Sequence, residues 1–276
     1  MRLANAGVLY IVATPIGHLG DLTRRAEDVL KQVQIVAAED TRRTRVLLDH
    51  IDHHVPELLS LHEHNEASMA QRLVKRLLEG SDVALVSDAG TPLVNDPGFL
   101  LVVAAHQAGI TTVPIPGACS ITAALSVCPL PTQPFRYVGF LPSKATARRQ
   151  RLAEYLAGSD AIVFLEAPHR IIATVTDIGA LSSRRMMLAR ELTKRFETIL
   201  VGTAAEVRLA LGDQPKGEFT CVIEAAESAV VTYNEQKLLI ALLAELPPSK
   251  AAKVAANVCG AKKSAMYELA MRLSDP

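Results

Sequence analysis

Up to about residue 127, short apolar runs alternate with segments whose apolar residues recur at helical spacing. Residues 8–13, 35–38, 83–87 and 111–114 read as buried strands. Residues 22–33, 41–48 and 66–79 read as helices, the last with Asn65 placed to cap it and Gly80 to end it. Asp96-Pro97 is an N-cap and N1 pair that should open a helix running to residue 108. Residues 117–127 form a helix of small side chains. This alternation leaves few choices. It predicts an α/β domain around a mostly parallel sheet.

The pattern breaks at 128-CPLPTQPF-135, where three prolines fall within a few residues. No helix crosses such a stretch, so a linker is placed here. Beyond it, strands at 135–140, 161–165, 186–189, 199–201 and 219–224 follow one another more closely, with a basic helix at 144–157. That spacing predicts a mixed or antiparallel sheet carrying helices. A third unit begins near Thr232 and is all helical, at 235–245, 250–258 and 262–273, with breaks at Pro247-Pro248 and Gly260. The expected domains are 1–130, 131–230 and 231–276.

A chain of 276 residues that is 49 % apolar and 21 % charged, with mean hydropathy +0.21, has ample core material. Its formal net charge is zero. Any contact with nucleic acid must therefore come from local basic patches. Cys119, Cys128, Cys221 and Cys259 make no CxxC pair and sit among apolar or small residues, the pattern of buried free thiols in a reducing compartment. The early apolar run ends at Thr14-Pro15 and reads as a first strand, not a signal peptide. No run reaches the roughly 18–20 residues of a membrane span. The expectation is a soluble, cytoplasmic protein.

Three loops follow strands where their carboxyl ends should lie: 14-TPIGHLGD-21, 87-SDAGTPLVNDPG-98 and 114-PIPGACS-120. Ligands bind at that edge of open α/β sheets. Glycine lets the backbone approach a ligand closely, and proline fixes loop shape. The plainer alternative is three ordinary tight turns. There is no GxGxxG and no GxxxxGK[ST], so a ligand gripped through phosphates is disfavoured.

Taken together, 9-LYIVATPIGHLGDLTRRA-26, 38-AEDTRRT-44, 62-HEHNE-66, 85-LVSDAGTPLVNDPG-98 and 114-PIPGACSITAAL-125 resemble the tetrapyrrole methylase superfamily. The likeness is closest to its ribosomal RNA branch, which methylates a ribose 2′-hydroxyl of a decoding-site cytidine in small-subunit (16S) ribosomal RNA. Later segments agree: 139-GFLPSK-144, 165-LEAPHRI-171, 189-ARELTKRFET-198, 217-GEFTCVIE-224 and 246-LPPSKAAKVAANVCGAKKSAMYELA-270. His18 and Ala167 depart from the usual pattern, where asparagine and a polar residue are expected.

The resemblance implies two α/β domains of the tetrapyrrole methylase type with S-adenosyl-L-methionine in the cleft between them, plus a small helical tail. It also implies a homodimer. Asp88 falls at the acidic position of the superfamily's cofactor loop, beside Ser87, Ala89, Gly90 and Pro92. Pro15 and Gly17 would line the neighbouring loop, and Ser120 would donate from a helix start. Leu165, Glu166, Leu192, Gly217 and Glu218 would close over the adenosine. For catalysis, Glu39, Asp40, Glu166, His169, Glu191 and Glu197 are candidate bases. Arg42, Arg170, Arg190 and Lys194 are candidates for holding phosphate or stabilising charge. The alternative for these acids and bases is surface ion pairing.

Three basic clusters suggest RNA contact: Lys144, Arg148, Arg149 and Arg151; Arg42, Arg43 and Arg45; and Lys250, Lys253, Lys262 and Lys263 in the tail. Ala256, Gly260, Met266 and Leu269 fall at the offsets of a helix-turn-helix. The alternative is a helical hairpin that only packs on the body. Low aromatic content argues against stacking many bases and favours a folded substrate within the small ribosomal subunit. His62 and His64 invite a metal reading, but the run leads straight into a helix, and no metal is expected. Two rival functions stay open: a tetrapyrrole or corrin methyltransferase of the same fold, which has no use for a basic tail, and a non-catalytic ribosome-binding scaffold.

Overall fold

The structure, a computed structural model, describes residues 5–226 and 235–274. The expected boundary at residues 230 and 231, and Thr232, lie outside them. Five short strands form the first sheet: β1 (Leu9–Val12), β2 (Ile35–Ala38), β3 (Glu57–Ser60), β4 (Val83–Val86) and β5 (Thr112–Ile115). Their order is β3-β2-β4-β1-β5, and every pairing is parallel. β2 and β4 are buried along their whole length, as strands covered on both faces must be.

The covering helices are α1 (Arg24–Gln32), α2 (Thr41–His50), α3 (Glu66–Leu78), α4 (Phe99–Gln107) and α5 (Ser120–Ser126). Leu30 of α1 and Leu47 and Leu48 of α2 pack with Val12, Val36 and Val86 on one face. Leu73 and Leu77 of α3 and Leu101 of α4 pack with Leu9, Val83 and Leu85 on the other. The helices that leave the adjacent strands β1 and β4 thus go to opposite faces. That divergence opens a crevice at the carboxyl ends of these two strands.

The second sheet comprises β6 (Phe135–Phe140), β7 (Ala161–Glu166), β8 (Met186–Arg190), β9 (Thr198–Gly202) and β10 (Phe219–Ile223). Its order is β6-β7-β10-β8-β9; β6 and β7 are parallel and the rest antiparallel. It is a mixed sheet, as the strand spacing predicts. One face carries α6 (Ala145–Leu156), α7 (Ile171–Leu181) and α8 (Ala204–Leu211) around Leu152, Phe164, Val175 and Val207. The other face packs Val163, Met187 and Val222 against Ile121 and Ala124 of α5 and Leu130. α5 therefore joins the two sheets, which belong to one compact unit ending at Ala225.

The second unit holds α9 (Glu235–Leu243), α10 (Pro248–Cys259) and α11 (Lys263–Ser274). Pro248 stands in the first turn of α10, where its missing N–H costs nothing. Ala251, Ala252 and Ala255 let α10 pack closely against Leu239, Met266 and Ala270.

Two expected helix caps need correction. α4 starts at Phe99, with Gly98 as N-cap at φ 124°, so Asp96 and Pro97 belong to the preceding loop. The cap is supplied from elsewhere: Glu66 Oε1 accepts from the Gly98 amide at 2.9 Å and the Leu100 amide at 2.7 Å. Asn65 precedes α3 but makes no side-chain cap. Its amide instead accepts from His62 N at 2.9 Å and donates to Ser60 O at 2.9 Å, pinning the turn before the helix.

Candidate active site

Two adjoining cavities lie between the carboxyl ends of the first sheet and the edge of the second. The larger, about 300 Å³, is walled by Gly90, Val94, Ser120 and Ile121 from the first half and by Tyr137, Leu165, Leu192 and Thr220 from the second. The smaller, about 210 Å³, is lined by Pro15, Gly17, Leu19, Arg43, Ser87 and Asp88. Ile16, Ala89, Lys194 and Glu218 border both. Together they reach the size of a small-molecule site, roughly 300–1,000 Å³.

Local contacts hold the two rims in place. The 14–21 and 87–98 loops are tied by reciprocal bonds, Thr14 N to Gly90 O at 2.8 Å and Gly90 N to Thr14 O at 3.0 Å. His18 N donates to Thr193 Oγ1 of the opposite wall at 3.1 Å. A Cβ on Gly17 would collide with the Lys194 side chain, so only glycine permits this approach.

Of the expected cofactor residues, Pro15, Gly17, Ser87, Asp88, Ala89, Gly90, Ser120, Leu165, Glu166, Leu192 and Glu218 all border these cavities. Pro92 is buried and Gly217 packs against the Glu191 side chain; neither lies in the lining. Asp88 does not present a free carboxylate: Oδ1 accepts from Asp40 N at 3.0 Å and Oδ2 pairs with Arg43 at 3.5 Å.

The expected catalytic residues divide sharply. Glu166 is saturated: Oε1 takes the Ala167 amide at 2.8 Å and the Arg170 guanidinium at 2.5 Å, and Oε2 takes Thr174 Oγ1 at 2.7 Å. It orders the turn between β7 and α7. Asp40 caps α2 and grips Arg42 in a fork, at 3.0 and 2.6 Å. That contact with Arg42 holds its carboxyl down at about 2. Glu39 lies outside the lining; burial raises its pKa, although the Asp88 amide at 3.3 Å draws it back. His169 is exposed and lines neither cavity. Glu197 accepts from Thr193 N at 2.6 Å, and Arg190 donates to Lys216 O at 2.6 Å.

Glu191 and Lys194 form a small network at the junction of the cavities. Lys194 Nζ lies 3.0 Å from Glu191 Oε1 and 3.0 Å from Glu218 Oε2. Burial opposes its charge, but the two carboxylates outweigh burial and raise its pKa, so it stays an ammonium. Burial likewise pushes Glu191 up, and the Glu218 amide and Lys194 bring it below the usual carboxylate range. Glu191 thus holds Lys194 in place as an ionised carboxylate.

The sequence reading missed Asn95, Asp96 and Tyr137, all in the lining of the larger cavity. Asn95 stands at φ 72° and accepts from Tyr137 Oη at 2.8 Å. Burial pushes Tyr137 up to about 12. Burial also pushes Asp96 up to about 6, against the pull of the Ser87 hydroxyl; the charges of Glu39 and Asp88 add to the rise. Ser87 Oγ is itself buried and makes no hydrogen bond of full geometry. The signal was present, since Asp96 is a second acid in the ligand loop, but the following proline made it look like a helix cap.

Two of the basic clusters are less free than their sequences suggest. Arg148 is buried and, with Arg149, clasps Asp177 at 2.7 and 2.6 Å; Arg151 pairs with Glu154. Arg148 is therefore a core ion-pair residue, not an RNA contact. Lys144, Lys250, Lys253, Lys262 and Lys263 are exposed. Among the described residues no group of three or more histidine, cysteine or acidic side chains gathers to hold a metal.

This architecture has relatives. Residues 8–208 match the family described as Tetrapyrrole (Corrin/Porphyrin) Methylases. The chain belongs to the tetrapyrrole methylase family. Residues 234–274 match the RsmI C-terminal HTH domain. The chain is 48 % identical over 272 residues to Ribosomal RNA small subunit methyltransferase I of Xylella fastidiosa, covering 96 % of this chain and 99 % of the relative. The protein of the same name from Escherichia coli O157:H7 is 44 % identical, with 96 % and 95 % covered. Among solved structures, the methyltransferase CobJ superposes with TM-score 0.61 at 18 % identity, over 80 % of this chain and 95 % of its own. Uroporphyrin-III C-methyl transferase from Thermus thermophilus, complexed with S-adenyl homocysteine, gives TM-score 0.55 at 16 % identity, over 80 % and 98 %. These two place this tetrapyrrole methylase within the fold and go no further. No helix among its described residues is long and apolar enough to cross a membrane.

Proposed function

We propose that this chain transfers the methyl group of S-adenosyl-L-methionine to 16S ribosomal RNA, at a ribose 2′-hydroxyl of a cytidine in the decoding region. The carrying observation is the near-complete match to small-subunit ribosomal RNA methyltransferases, tail included. A tetrapyrrole substrate would leave the 234–274 region without a purpose.

The cleft suits the cofactor. Its walls are largely apolar, it has no phosphate cradle, and the buried Ser87 hydroxyl lacks a good partner. When bound, S-adenosyl-L-methionine supplies an electrophilic methyl group on a cationic sulfur. Leu165, Leu192, Ile121 and Thr220 would enclose the adenosine, with Ser120 donating from the start of α5. Lys194, held by Glu191 and Glu218, stands between the cavities and would position the cofactor at their junction. The smaller cavity, open beside Arg43, would admit the target nucleotide. Orienting the hydroxyl in line with the methyl group is worth roughly 7–11 kcal/mol of barrier.

The substrate is proposed to be the assembled small subunit, because a chain of zero formal charge binds no RNA avidly by charge alone. The active form is proposed to be a cytoplasmic homodimer. The test supplies labelled cofactor and small subunits from a strain lacking this protein. Label on a ribose is the expected result. Label on a base would overturn the atom assignment, and no label would end the reading.

A further inference from the structure

We infer that the Asp96 carboxylate faces the sulfonium of the methyl donor and takes the proton released by the attacking hydroxyl. This rests on the methyltransferase reading above.

Three acids border the larger cavity: Asp96, Glu166 and Glu218. Glu166 is saturated by Ala167, Arg170 and Thr174. Glu218 is tied to Lys194. Asp88, in the smaller cavity, is held by the Asp40 amide and Arg43. Asp96 alone of these has no cation in ion-pair contact among the described residues. Its charged neighbours make the site more negative: Glu39 from the end of β2 and Asp88 from the loop after β4 both act on it, and its own charge in turn raises the Tyr137 hydroxyl of β6. The Ser87 hydroxyl beside it is 4 % exposed and has no hydrogen bond of full geometry. A half-buried carboxylate that borders the cavity without a cation beside it is a place prepared for a positive ligand.

The same group suits the proton. The hydroxyl oxygen bonds to the methyl carbon as the carbon–sulfur bond breaks, and that electron pair stays on sulfur. The hydroxyl proton must then leave. Loss of the cation removes what held Asp96 ionised, so the carboxylate becomes a better acceptor at the moment the proton is released. The proton then passes from Asp96 to solvent. Burial holds the unliganded Asp96 at about 6, within reach of both states near neutrality.

The test uses the full chain and an Asp96→Asn variant, with a thermal melt to verify folding. Calorimetry near pH 6 in buffers of different ionisation heat reads protons released on binding. Wild type should release protons with S-adenosylmethionine and none with the neutral product S-adenosylhomocysteine; Asp96→Asn should release none with either. In methyl transfer to small subunits, Asp96→Asn should be slower by on the order of 10²–10⁴-fold. Wild-type kcat/KM for the cofactor should fall as pH drops through about 6, the free-enzyme value. Its kcat should fall only at lower pH, because the bound cation keeps the carboxylate ionised. Equal proton release by wild type and variant, or transfer by Asp96→Asn at the wild-type rate, overturns the inference alone. If the variant does not fold, wild-type proton release and the two pH limbs decide, and their absence overturns it. Failure of wild type to bind the cofactor sinks the underlying reading, and this one with it.

Discussion

Single residues of like charge have opposite fates here, and their partners decide which. Arg148 and Lys144 looked alike in the sequence as members of one basic cluster. The structure buries Arg148 against Asp177, with side chains 6 % and 3 % exposed, and leaves Lys144 in solvent. Removing one partner of a buried pair costs about 3–5 kcal/mol where the other charge is left alone, but Asp177 without Arg148 keeps Arg149 at 2.6 Å. Arg148→Ala should therefore lower unfolding stability by less than that, about 1–3 kcal/mol in a urea titration, whereas Lys144→Ala should be near neutral. Burial alone would raise Asp177, but Arg149 and Arg148 pull its pKa below the usual value. A depressed carboxylate gives stability that is present above its unfolded pKa and is lost as pH falls through the folded one. The variant should thus lose part of the protein's acid sensitivity as well as its stability. The same contrast separates Asp88 from Asp96. Sequence placed both in one loop and favoured the first, because charge is visible in a sequence and hydrogen-bond saturation is not.

At the scale of elements, what could be read was what local pattern determines. β2 and β6 fall on their expected residues, and most helices within a few residues of theirs. The strand Glu57–Ser60 escaped notice because it is a half-buried edge strand beginning with a charge, without a clear apolar run. The start of α4 was misplaced because its cap comes from Glu66, thirty-odd residues earlier in the chain. That remote cap also ties the end of the 87–98 loop to α3, so a helix-capping contact helps shape the cleft. Glu66→Ala should cost about 1–2 kcal/mol, by loss of a cap and two amide acceptors. It should also weaken cofactor binding measured by calorimetry, because the loop loses its anchor. Glu66→Gln keeps one acceptor oxygen and should recover part of both. A stability loss with unchanged cofactor affinity would show that the loop is held by its other ties, such as the Thr14–Gly90 bridge.

For the molecule as a whole, charge is divided by task. The formal charge is zero. Several basic residues of the first unit are already matched: Arg42 to Asp40, Arg43 to Asp88, Arg149 to Asp177 and Arg151 to Glu154. The tail differs. Lys250, Lys253, Lys262 and Lys263 are exposed and make no ion pair among the described residues, while the alanine-rich seam of α10 faces α9 and α11. Unmatched lysines are what binding to phosphate requires, since a cation already paired gives little by exchanging one anion for another. Replacing all four with alanine should weaken binding to small subunits. It should also flatten the plot of log affinity against log salt by about 0.7–0.9 for each phosphate that a lysine no longer neutralises. Affinity for the free cofactor should not move, because none of the four lines either cavity. Weaker binding with an unchanged salt slope would mean the tail meets the subunit through its packing surface, and its lysines would then be solvating charges only.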